Sequence, residues 1–168
     1  MLEITKEEVI EKHYDMWEWI ARRYDDHVSI PCSDLKNVFA SVKNISISRD
    51  SRYIDYCCVY DIQKKKELEA ENRGLVIPYC VNCPLKWGTE GKYEVQDNNR
   101  YYYCLRHKND KQKHDDFVLM SDMNLRYNKE KGRFEEIPME YFIYGVLLDE
   151  EYEQLAKQAR RIANLPEK

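Results

Sequence analysis

An α+β fold is predicted for this chain by amphipathic helical patterns at both ends and by a strand–turn–strand pattern between them. The 168 residues have the length of one small domain, and no repeat or low-complexity linker divides them. We therefore expect a single domain over residues 1–168, in which the N- and C-terminal helices pack on a short antiparallel β-hairpin.

The two terminal helices are predicted from their caps and apolar stripes. Thr5, followed three residues later by Glu8, forms a capping-box pattern, and Asp149 is the expected cap of the C-terminal helix. Apolar side chains then recur at helical spacing in both segments, so each helix should bury one face. The expected buried residues are Val9, His13, Met16, Trp17, Ile20 and Tyr24 in the first helix, and Tyr152, Leu155, Ala156, Ala159, Ile162 and Ala163 in the second.

The central segments give weaker patterns. Pro31 precedes a short helical pattern that carries Leu35 and Phe39, and residues 61–73 predict a charged, solvated helix ended by Gly74. Residues 93–105 predict a hairpin that turns at 97–100. Residues 139–148 are almost continuously apolar, which predicts either a buried strand or a short helix.

A metal site is predicted around Cys80 and Cys83. Two intervening residues let a turn bring both sulfurs to one metal ion, and Cys58 and Cys104 could complete a set of four thiolates. This donor set matches the tetrahedral preference of zinc, so we expect a structural Zn²⁺ that holds a zinc knuckle beside the hairpin. Cys57 is an alternative to Cys58, and His107 could replace Cys104 or Cys58.

The composition and the motifs of the chain argue against several classes of function. A net charge of -4 and a pI of about 5.7 give no overall basic bias towards nucleic acid. No apolar run is long enough to span a bilayer, and the charged N-terminus lacks a signal-peptide core, so we expect a cytosolic protein. There is no P-loop, no Gly-x-Ser-x-Gly and no paired-carboxylate motif, which predicts that the protein is not an enzyme.

The charges are segregated along the chain. No Lys or Arg occurs between Arg133 and Lys157, whereas acidic and tyrosine residues accumulate there. An acidic, tyrosine-rich face could dock on a basic protein groove, although acids at a helix start also simply favour the helix dipole. The predicted partner-binding residues are Glu135, Glu136, Glu140, Tyr141, Tyr144, Glu150 and Glu151.

A basic stretch supports an alternative function. Residues 100–113 interleave basic side chains with three consecutive tyrosines, a combination that single-stranded nucleic-acid binding uses. The alternative is therefore a zinc-ribbon-like protein that binds nucleic acid or regulates transcription. The basic residues are Arg100, Arg106, Lys108, Lys111 and Lys113.

Three stretches together resemble a family of small zinc-binding proteins encoded by phages and prophages of Gram-positive bacteria. They are residues 13–21 (HYDMWEWIA), 80–88 (CVNCPLKWG) and 156–166 (AKQARRIANLP). The most specific is the Cys-x2-Cys-Pro-Leu-x-Trp-Gly turn. The family pattern has a second Cys-x2-Cys pair upstream, in which Cys58 would be the second cysteine. The first position is Asp55 in this chain, which puts the fourth ligand in doubt and favours Cys104.

The resemblance also changes the expected function. Small acidic phage proteins without catalytic motifs often block a host defence enzyme, and this chain is similar in kind to anti-CRISPR proteins that inhibit Cas9. The implied partner is a host defence protein such as Cas9, and the implied location is the cytoplasm of the bacterial host. Such an inhibitor would cover a basic surface that Cas9 uses for its guide–target duplex or for DNA entry.

Overall fold

The computed structural model describes residues 3–42, 55–77, 80–87 and 124–168. In these segments the chain forms five helices and a two-stranded antiparallel sheet, which confirms the α+β class for the described residues. One buried apolar cluster includes residues of all five helices and of segment 80–87. The single domain over residues 1–168 stays a prediction. The elements are α1 (Lys6–Asp25), α2 (Cys32–Val42), α3 (Tyr56–Glu71), β1 (Leu125–Asn128), β2 (Arg133–Glu136), α4 (Met139–Ile143) and α5 (Asp149–Ala163).

Helix α1 confirms both its predicted cap and its predicted stripe. The Thr5 hydroxyl accepts a hydrogen bond from the Glu8 backbone N–H at 3.2 Å, and the Glu8 carboxylate accepts one from the Thr5 N–H at 2.9 Å. These bonds satisfy two donors that a helix start otherwise leaves without partners. All six stripe residues are buried, together with Ala21.

Helix α5 buries all of its predicted stripe, but its predicted cap is wrong by one residue. The N-cap is Leu148, whose backbone N–H donates to the Glu151 carboxylate at 3.1 Å, so Asp149 is the first helical residue. A leucine can be the N-cap here because this bond uses its backbone N–H and the Glu151 carboxylate, and needs no polar side chain at the cap.

Helices α1 and α5 run antiparallel and pack mainly on each other. His13 approaches Ile162 near one end of the pair, and His27, just beyond α1, stacks on Tyr152 near the other end with ring centroids 4.4 Å apart. This is the most extensive interface between the described elements. In the described part of the chain the two terminal helices therefore pack mainly on each other, and α5 also contacts β1. Their expected packing on the hairpin at residues 93–105 stays a prediction, because that segment lies outside the described residues.

Helix α3 begins earlier than predicted. It starts at Tyr56 with Asp55 as N-cap, five residues before the expected start at residue 61, and ends at Glu71. Gly74 follows with φ of +85°, a left-handed conformation that glycine adopts without strain. The earlier start places Cys57 and Cys58 in the first helical turn, where both are buried.

The described hairpin is not the predicted one. Strand β1 pairs antiparallel with β2, so that Leu125 lies opposite Glu136 and Asn128 opposite Arg133. The rings of Tyr127 and Phe134 meet across the strands at 5.1 Å between centroids. The hairpin predicted at residues 93–105 lies outside the described residues.

The apolar segment 139–148 forms the short helix α4 followed by a turn, so the strand alternative is wrong. Within this segment Phe142 and Leu147 are buried, whereas Ile143, Tyr144 and Leu148 are largely exposed. None of the helices that the structure describes is both long enough and apolar enough to cross a lipid bilayer.

Candidate functional site

The Cys80–Cys83 segment is a tight turn with both cysteines buried. The Cys83 N–H donates to the Cys80 carbonyl at 3.2 Å, which closes the turn. Cys80 has φ of +69°, a left-handed conformation that non-glycine residues rarely adopt. The surrounding structure must therefore hold this residue in place.

Asp61 of α3 holds the turn through both of its carboxylate oxygens. It accepts one hydrogen bond from the Cys80 N–H at 2.9 Å and another from the Asn82 N–H at 3.0 Å. The Asp61 side chain is fully buried. Burial raises the pKa of Asp61, because a carboxylate loses hydration, while the bonds from Cys80 and Asn82 act in the opposite direction. Asp61 was not predicted from the sequence, where it is one acid in a charged helix.

Residues 166–168 brace the same turn from the other side. The Lys168 ammonium donates a hydrogen bond to the Cys80 carbonyl at 3.0 Å, and the Lys168 backbone N–H donates one to the Pro84 carbonyl at 2.9 Å. The Lys86 N–H in turn donates to the carbonyl of Pro166 at 2.8 Å. The cysteine turn is thus bonded both to α3 and to the segment that follows α5.

The fit of a metal to this turn is partial. Cys80 and Cys83 have the donor chemistry and spacing of two zinc ligands, and Cys58 lies one turn before Asp61 on α3. Within the described ranges, however, no three His, Cys, Asp or Glu side chains lie close enough together to hold a metal ion. Cys104 and its alternative His107 lie outside the described residues. The four-ligand zinc site stays a prediction.

A buried polar cluster lies where α1, α2 and the start of α3 meet. The Asp55 carboxylate accepts a hydrogen bond from the Trp17 indole N–H at 3.2 Å and pairs with the Lys36 ammonium at 3.3 Å. The side chains of Lys36 and Asp55 are both fully buried, and the ammonium lies 5.7 Å from the centroid of the Trp17 ring. The Asp55 carboxylate therefore has both a buried ammonium and an indole N–H as partners.

His13 extends this buried region towards α5. Its Nε2 lies 2.7 Å from the Ile162 carbonyl, and its ring meets that of Trp87 edge-on at 5.9 Å between centroids. Its Nδ1 has no hydrogen-bond partner among the described residues. Burial lowers the pKa of His13, which favours the neutral ring with Nε2 donating to the carbonyl. A buried, neutral His13 is a core residue of the α1–α5 interface.

Three of the predicted partner-binding residues make internal contacts around Arg126. The Arg126 guanidinium donates to Glu135 at 3.1 Å and to Glu151 at 3.1 Å, and it lies 5.3 Å from the centroid of the Tyr141 ring. Glu151 is buried and also caps α5. These contacts join β1, β2, α4 and α5, so these three residues have a structural role.

The other four predicted residues point to solvent. Glu136, Glu140 and Glu150 are exposed, and Tyr144 is 75% exposed. Exposed apolar side chains accompany them in the same segment. The structure thus presents an acidic and apolar surface at residues 136–150.

Comparison with protein-family models, with curated proteins and with solved structures finds no match to this chain. No family is therefore shown for it.

Proposed function

We propose that this protein is a phage-encoded anti-defence protein, which inhibits a Cas9-type CRISPR nuclease by direct protein–protein binding. The observation that carries the proposal is the exposed set Glu136, Glu140, Tyr144 and Glu150, within a stretch that contains no Lys or Arg. It acts in the cytoplasm of the bacterial host, and it needs no catalytic residues, because covering a surface of the nuclease is sufficient.

The chemistry of the target supports this choice. A Cas9-type nuclease holds its guide–target duplex in a positively charged channel and reads the adjacent DNA with arginines. An acidic surface that carries an aromatic side chain complements such a channel, and it would compete with DNA for the same cations. Binding there would block DNA loading or cleavage.

A structural zinc is part of the proposal. Cys58, Cys80, Cys83 and Cys104 would hold the ion, which would stabilise the fold and take no part in binding the target. The support is the thiol pair in a turn that Asp61 and Lys168 already fix.

The zinc prediction is tested by native mass spectrometry and circular dichroism. The wild-type protein should carry one zinc ion, whereas the double variant Cys80→Ser/Cys83→Ser should carry none and should be unfolded. Cys32→Ser is the matched control, since Cys32 is also buried but lies at the start of α2. A double variant that remains folded would refute the structural role of the metal.

Direct binding is tested by size-exclusion chromatography of the purified protein with guide-loaded Cas9 from a Gram-positive host. Co-elution that survives nuclease treatment supports the proposal. Retention on free DNA or RNA that salt abolishes, without co-elution with Cas9, would instead favour the nucleic-acid-binding alternative. The basic stretch on which that alternative depends, residues 100–113, lies outside the described residues.

A further inference from the structure

Five large apolar side chains are exposed within ten consecutive residues that follow the hairpin. Ile143 is 71% exposed and Leu148 is 64% exposed, although neighbouring Phe142 and Leu147 are buried. Leaving this much apolar surface in water is unfavourable, and such clusters mark interaction sites. We call these side chains the 139–148 patch; they are Met139, Ile143, Tyr144, Val146 and Leu148.

Hydrogen bonds hold the backbone of the patch. The N–H groups of Tyr144 and Val146 donate to the carbonyls of Glu140 and Tyr141 at 2.9 and 3.0 Å, and Gly145 takes the positive φ of +62° that this turn requires. The Ser29 hydroxyl donates to the Phe142 carbonyl at 2.7 Å, which ties α4 to the loop between α1 and α2. A surface held in this way loses little conformational entropy when it binds a partner.

Charge decides what kind of partner fits the patch. Exposed carboxylates lie within and beside it, from Glu136 and Glu140 to Asp149, Glu150 and Glu153. A second copy of the chain would bring these like charges together, and both nucleic acid and anionic lipid would be repelled. A protein surface rich in Lys and Arg would be attracted.

We infer that the 139–148 patch is the anchor of the docking surface, and that its occupant is a protein surface with an apolar recess bordered by Lys or Arg side chains. This inference rests on the proposed function, and it names the part of the surface that determines affinity. Ile143 and Tyr144 fill the recess, because a few central apolar and aromatic side chains supply most of the binding energy of an interface. The surrounding carboxylates mainly accelerate and orient the encounter.

Binding kinetics on immobilised, guide-loaded Cas9 separate these two roles. Ile143→Ala/Tyr144→Ala should weaken binding by about 30-fold or more, chiefly through faster dissociation. Glu140→Gln/Glu150→Gln should slow association and reduce its salt dependence. The matched control is Val42→Ala/Tyr14→Ala, which removes an aliphatic and an aromatic side chain exposed on α2 and α1. It should change affinity by no more than about twofold.

The outcomes distinguish failure of the inference from failure of the proposed function. Suppose that the wild-type protein binds Cas9, and that the Ile143→Ala/Tyr144→Ala variant is folded by circular dichroism and binds Cas9 equally well. The anchor role of the patch is then wrong, and the proposed function stands. If wild-type protein does not bind Cas9 at all, both are wrong. Sedimentation that shows a wild-type dimer, made monomeric by the same variant, would assign the patch to a second copy and overturn the inference.

Discussion

Asp61 is a single buried side chain on which the geometry of the cysteine turn depends. Its two oxygens accept the backbone N–H groups of Cys80 and Asn82, and a buried N–H without a partner costs about 1–3 kcal/mol. Asp61→Ala should therefore lower the free energy of unfolding by about 2 kcal/mol or more. Urea denaturation measures this loss, and hydrogen exchange at the Cys80 and Asn82 amides should show that protection is lost locally.

Asp15→Ala is the control for this experiment, because Asp15 is an exposed aspartate within α1. Unchanged exchange rates at the two amides in the Asp61→Ala variant would show that the turn is held by other contacts, such as the bond from Lys168.

The buried pair of Lys36 and Asp55 gives a second prediction at the level of residues. Lys36→Met leaves the Asp55 carboxylate buried without its cation, which should cost about 3–5 kcal/mol of stability. Adding Asp55→Asn removes the uncompensated charge and keeps an acceptor for the Trp17 indole, so the double variant should recover part of the loss. Urea denaturation of the single and double variants measures the coupling.

Lys66→Met, at an exposed position on α3, controls for the loss of a lysine. A double variant no more stable than Lys36→Met alone would mean that lost packing, and not an unpaired charge, explains the effect.

At the scale of elements, an ion pair joins the two central helices. Arg160 of α5 donates to the Asp25 carboxylate at the end of α1, and this hydrogen bond lowers the pKa of Asp25 below its ordinary value. The pair therefore stabilises the fold at neutral pH. This contribution begins to fall when the pH drops below 3.8, the ordinary pKa of an aspartate, and it is lost as the pH falls through the lowered pKa of the folded state. Because Asp25 is half-exposed, Asp25→Asn should cost less than about 1 kcal/mol at pH 7.

The pH dependence of unfolding by urea checks this prediction. The difference between wild-type protein and Asp25→Asn should vanish in acid, whereas Asp15→Asn should differ little from wild type at any pH. A difference that persists below the carboxyl titration range would contradict the ion-pair explanation.

The elements that could be predicted from the sequence are those with a long helical period. Both α1 and α5 were predicted with every stripe residue buried, because the helical period is a local property of the chain. The start of α3 was missed, since its first turn contains Cys57 and Cys58 and shows no charged helical pattern. The hairpin at 125–136 was missed because both strands have only four residues, which is too short for the alternation in Leu125–Asn128 to stand out.

The candidate site was only partly predictable, for a physical reason. The Cys80–Cys83 pair is visible as a short-range spacing, but Asp61 and Lys168, which hold it, are distant in sequence. The acidic residues of segment 135–151 look alike in the sequence. Only the fold shows that Arg126 binds Glu135 and Glu151 while Glu136 and Glu140 face solvent.

At the scale of the whole molecule, the described parts have contrasting roles. The packed helices α1 and α5 carry the core, the cysteine turn is bonded to α3 and to residues 166–168, and segment 136–150 presents acidic and apolar side chains to solvent. The residues that hold the described fold together thus differ from those of the proposed docking surface. Variants of the 139–148 patch should accordingly change binding without unfolding the protein.

Inhibition of Cas9 is tested by measuring DNA cleavage by the guide-loaded enzyme from a Gram-positive host while the purified protein is titrated into the reaction. Cleavage should fall to background as the protein approaches the concentration of Cas9, whereas Ile143→Ala/Tyr144→Ala should inhibit only at much higher concentration. Full cleavage at a large molar excess of folded wild-type protein would contradict this prediction.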